Sequence, residues 1–168
     1  MIYIMQYKMD IKREDNKLPI TSFSSEEEFQ KCCRYYQHLL FLDDWFIKYK
    51  MVDSIETEYD GTVDGQCSFD YNNKSATIEI VNKSTFYDET NTKLNVECVI
   101  IHELLHLKVE YWNNSNIFDK SCSLESTLNH QYMEQMAKSI LMARYNLDYD
   151  YFLEEYDEEE KEDSKTGV

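Results

Sequence analysis

Val99-Ile100-Ile101-His102-Glu103-Leu104-Leu105-His106-Leu107 decides how this chain is read. Apolar residues surround its polar ones on almost every side, which is the pattern of a helix buried all round. In such a helix His102 and His106, four apart, stack on one face. Their imidazoles can then grip one metal ion as neighbouring ligands. Glu103 projects beside that ion, where a carboxylate can hold and deprotonate a water. Two histidines and a glutamate inside so apolar a helix need a reason to be there, because unpaired polar groups are costly to bury.

The surrounding sequence predicts an α+β fold with about three helices and a small, mostly antiparallel sheet packed against the motif helix. Ser25 and Glu28 form a capping box, with Glu26 and Glu27 on the positive end of the dipole, so a helix begins at Ser24 or Ser25. Phe29, Cys32, Cys33, Tyr36, Leu39 and Leu40 give it a core face. Asp43-Asp44 breaks it. Trp45–Val52 reads as a strand with Trp45, Ile47, Tyr49 and Met51 on one face. Asp53–Gly65 is an acidic loop. Gln66–Tyr71 and Ser75–Val81 alternate as two strands around a turn at Asn72-Asn73-Lys74. The motif helix spans about Thr92–Glu110, a polar loop follows over Trp112–Ser123, and a last helix runs from Ser123 or Leu124 to Asn146. Its core candidates are Leu128, Met133, Met136, Ala137, Ile140 and Leu141. Residues 2–7 read as an early strand. One domain, residues 1–147, and an acidic tail, 148–168, complete the division.

H-E-x-x-H is the arrangement of zinc peptidases, and its context here is the one the motif requires: a helix, with uncharged flanks. Catalytic zinc commonly has three protein ligands. The third is sought on the following helix, where Glu125, His130 and Glu134 are candidates. His130 and Glu134 lie one turn apart, so one can ligate while the other orients a ligand. His130 is slightly favoured, since three of the chain's four histidines would then meet at one Zn2+. Glu103 is the general base for a metal-activated water, and Tyr132 or Tyr145 could hold an oxyanion. His38 reads as a surface or structural residue.

Composition narrows the partners. The net charge is −16, and residues 148–168 hold ten acids and two lysines. Phosphates would be repelled, so neither nucleic acid nor an anionic membrane is an expected partner. Five cysteines without C-x-x-C spacing read as reduced thiols. Met1–Asp10 lacks the basic start and apolar run of a signal peptide, so a cytoplasmic location is expected.

The order of elements, with Asp43-Asp44-Trp45, Ala76-Thr77-Ile78, Ile100–His106 and Glu134-Gln135-Met136-Ala137-Lys138, resembles the small zincin-like metallopeptidases of phages and prophages. These look like minimal gluzincin-type relatives of the SprT-like proteases. The resemblance covers roughly residues 25–145. It implies a compact zincin fold, a third ligand that is commonly glutamate, and a protein or peptide substrate. Here His130 falls near that ligand position, with Glu134 one turn on. Two other readings are weighed: a catalytically inactive, zinc-bound regulatory or host-interaction protein, and an acidic decoy of nucleic acid acting through its tail. Glu103 favours the peptidase, because a structural zinc site has no use for a base beside its ligand.

Overall fold

The computed structural model describes residues 17–56, 62–82, 95–115 and 123–152. The strand read at residues 2–7 lies outside them. The elements run α1 (Glu26–Leu39), β1 (Phe46–Val52), β2 (Gly65–Asp70), β3 (Ser75–Val81), α2 (Val96–Ser115) and α3 (Ser123–Tyr145), then a short 3-10 turn at Tyr149–Phe152. The α+β class holds.

Helix α1 starts where its cap was read. Ser25 Oγ accepts the Glu28 N–H at 3.2 Å, while the Glu28 carboxylate reaches one residue further back, to the N–H and hydroxyl of Ser24. Phe29, Cys32, Cys33 and Tyr36 are buried. Leu39 and Leu40 are only partly so.

The sheet is mixed rather than mostly antiparallel. Its order is β1-β3-β2; β1 runs parallel to β3, and β2 runs antiparallel to it. The reason lies in loop lengths and side chains. The tight turn at 71–74 makes β2 and β3 a hairpin. The long connection from Val52 to Gly65 leaves room for β3 to enter between β1 and β2. β3 also has the most to bury: Ala76, Ile78, Ile80 and Val81 are all buried. A strand paired on both sides buries most. In register, Ile47, Ala76 and Phe69 share one row, then Tyr49, Ile78 and Cys67, then Met51, Ile80 and Gly65. These rows face the helices. The other face carries Lys48, Gln66, Ser68 and the Lys50–Glu79 ion pair at 2.6 Å.

Helix α2 packs against β2, β3, α1 and α3. Asn95 caps it, its Oδ1 accepting the Cys98 N–H at 2.8 Å. It continues to Ser115, beyond the expected end at Glu110 and into the segment read as a loop. Tyr111 and Trp112 carry no helix-breaking feature, and the asparagines and serine that read as loop come only at its end. Helix α3 buries Met133, Ala137 and Leu141, four residues apart. Leu128 and Met136, read as core, are instead exposed at 55% and 36%. With Tyr132 they form a second row four residues apart, turned away from the buried one. The packed structure continues past residue 147, because Phe152 is fully buried. Among the described residues Cys32, Cys33, Cys67 and Cys98 form no disulfide.

Candidate metal centre

The three helices are fastened around one buried carboxylate. Glu97 is fully buried on α2. It accepts hydrogen bonds from Tyr36 of α1, from the Tyr145 hydroxyl of α3 at 2.8 and 2.9 Å, and from the Ile20 N–H at 2.9 Å. The Arg144 guanidinium stands 3.1 Å away and lies over the Tyr35 ring at 4.3 Å. This network fixes α3 against α2 and so determines which α3 side chains meet the motif.

Further along both helices, His102, His106 and His130 converge. One nitrogen from each lies within 4.8 Å of the others. Ring centroids are 5.2 Å apart for His102–His106, 5.5 Å for His102–His130 and 5.0 Å for His106–His130. His102 is pushed down to about 3, first by burial and then by repulsion from His106 and His130. It is therefore neutral at physiological pH, the state in which an imidazole can ligate a metal.

Glu103 is 6% exposed. One of its oxygens lies 3.9 Å from His106 Nε2. The carboxylate fits beneath the sheet because residue 65 is glycine. A Cβ built on Gly65 would stand 2.6 Å from Val99 Cγ1 and 2.8 Å from Glu103 Oε1. The first residue of β2 thus rests directly on the proposed base.

Of the α3 candidates, His130 joins the cluster. Glu134, one turn on, pairs with Lys138. The Glu125 side chain lies outside the described residues. Neither tyrosine considered for an oxyanion faces the cluster: Tyr145 is engaged by Glu97, and Tyr132 is 54% exposed on the outer row of α3. His38 is exposed and sits 2.8 Å from Asp43, in keeping with a surface role.

Two important residues were not singled out in the sequence. Gly65 was read only as the end of a loop, although it is one of just three glycines. Glu97 carries no sequence signal that sets it apart, and its role emerges only from its partners on α1 and α3.

Three imidazole nitrogen donors on two packed helices are a donor set that suits zinc. Comparison of the chain with protein-family models, curated proteins and solved structures finds no match. The functional reading therefore rests on the geometry of His102, Glu103, His106 and His130.

Proposed function

We propose that this chain is a zinc-dependent peptidase of the zincin type, acting on a protein or peptide. One observation carries the reading: three histidines, two from α2 and one from α3, meet beside the buried carboxylate of Glu103. His102, His106 and His130 would hold the ion. Bound there, zinc would supply Lewis acidity and make water a usable nucleophile near neutral pH.

The chain's own residues supply the rest. Glu103 accepts the proton of the attacking water and returns it to the leaving amine. Its burial keeps bulk water from competing for that proton. Gly65 gives the carboxylate its space. β2 is paired only on its β3 side among the described residues, and its first residue lies over Glu103. An extended peptide can add to such an edge, which would bring a backbone amide to the base.

The test is metal analysis beside a peptidase assay. Purified wild type is expected to hold about one zinc per chain. His102→Ala, His106→Ala and His130→Ala should each lose it, whereas Glu134→Ala should keep it. Glu103→Gln should keep the metal and lose activity by roughly 10²–10⁴-fold. Full activity in Glu103→Gln would remove the proposed base. Bound zinc with no detectable hydrolysis would turn the reading to the regulatory protein.

A further inference from the structure

The outward face of α3 is uncharged. From residue 128 to Tyr145 the exposed residues of this helix include no Asp, Glu, Lys or Arg. The charged side chains of that stretch are turned inward: Glu134 pairs with Lys138, and Arg144 reaches Glu97. The solvent side of a surface helix ordinarily carries charge, and this chain is 30% charged residues with a net charge of −16. In place of charge the face carries Leu128 and Tyr132, more than half exposed, and Met136 beside them. A contiguous apolar row of this kind marks an interaction surface.

Two observations say what covers it. The first is the order of side-chain sizes. Leu128, Tyr132, Gln135, Met136, Ser139 and Ala143 recur every three or four residues, so they share one side of the helix. The large ones come first and the small ones last. A second copy of α3 laid antiparallel across it, about a twofold axis between residues 135 and 136, matches large to small throughout. Tyr132 then faces the second copy's Ser139, and Leu128 faces its Ala143. Gln135 and Met136 meet their counterparts at the axis. Twofold symmetry makes every such match twice. A parallel pairing would instead set Tyr132 on Tyr132 and Ala143 on Ala143, a clash at one end and a void at the other. The second observation is charge. Two bodies of −16 repel wherever acidic surfaces meet. The α3 face lets two copies touch without setting like charges against each other.

We propose that α3 pairs antiparallel with α3 of a second copy of this chain, giving a twofold dimer with Tyr132 packed on Ser139. The strip is about 22 Å long and about 10 Å wide, well below the roughly 800 Å² that each partner buries in a standard interface. The dimer is therefore a reversible one, populated at micromolar rather than nanomolar concentration. Neither zinc nor peptidase activity is needed for it.

Sedimentation equilibrium of the full chain, from low-micromolar to near-millimolar concentration, tests the pairing. The mean mass is expected to climb from one chain toward two. Added salt should strengthen the association, because it screens the repulsion between the two acidic bodies. Tyr132→Glu places two carboxylates in the seam and should weaken association roughly tenfold or more, with Tm unchanged because residue 132 is exposed. Ser68→Glu, which adds the same charge on the outer face of the sheet, should leave it as in wild type. The double substitution Tyr132→Glu with Ser139→Lys should restore association, since each glutamate then faces a lysine only in the antiparallel register. A chain that stays single at every concentration, an association weakened by salt, a dimer that survives Tyr132→Glu, or a double variant no better than Tyr132→Glu alone would overturn the proposal.

Discussion

Gly65 and Asp64 stand side by side at the start of β2 and have opposite relations to their surroundings. Gly65 is needed because something else fills its space. Gly65→Ala would drive a methyl into Val99 and the Glu103 carboxylate, and overpacking of this kind costs roughly 1–3 kcal/mol. Its larger effect should be on the base. Hydrolysis is expected to fall much further than Tm, with zinc content unchanged, when the three are measured on one preparation. Asp64 has the reverse problem. Its Oδ1 is buried without a hydrogen-bond partner, and burial raises its pKa to about 6. A carboxyl whose pKa is higher folded than unfolded binds more protons in the native state. Its ionisation therefore opposes folding above about pH 6, and the penalty fades as pH falls toward the ordinary value of 3.8. Asp64→Asn should raise Tm at pH 8, and the gain should shrink through pH 6 and vanish near pH 4. A gain that did not vary with pH would assign the effect to something other than the charge.

Between elements, the decisive contact is the one Glu97 makes. Removing one partner of a buried ionic network leaves the others uncompensated, typically at about 3–5 kcal/mol. Glu97→Ala strands the Arg144 guanidinium, two tyrosine hydroxyls and the Ile20 N–H. A loss of that size in denaturant unfolding is expected, together with weaker zinc binding, because His130 reaches the motif only while α3 keeps its place on α2. What the sequence made legible follows from the range of each interaction. Helices, caps and strand faces depend on neighbours a few residues apart, so α1, β3 and the His102–His106 pair could be read directly. The third ligand could be narrowed to α3, with His130 only slightly favoured, because Glu134 is equally well spaced and it is the convergence of His130 with His102 and His106 that distinguishes them. Strand order escaped altogether. Alternation reports which face of a strand is buried, not which strand lies beside it. Leu128 and Met136 misled for a related reason: apolar residues mark a core only when their row faces it.

For the whole molecule, charge and topology act separately. A net charge of −16 contributes nothing to choosing this fold. It does produce a surface potential that favours the approach of cationic segments and resists phosphate. The sheet has helices on one side and a polar face on the other, so one apolar layer serves the strands and all three helices. No helix among the described residues is long and apolar enough to cross a membrane. Strand order carries one more consequence. Among the described strands β3 is the last to be synthesised, yet it lies between the other two. While the ribosome is still making the chain, β1 has no strand partner among the described residues until residue 75 and beyond emerge, although α1 already packs against it. The β2–β3 hairpin, closed by a short turn, has the smaller loop-closure entropy to overcome. A nascent chain of this protein therefore carries Phe46–Val52 as an unpaired strand, and Lys48 and Lys50, two like charges on one face of it, discourage the edge-to-edge pairing with other chains that such a strand would otherwise invite.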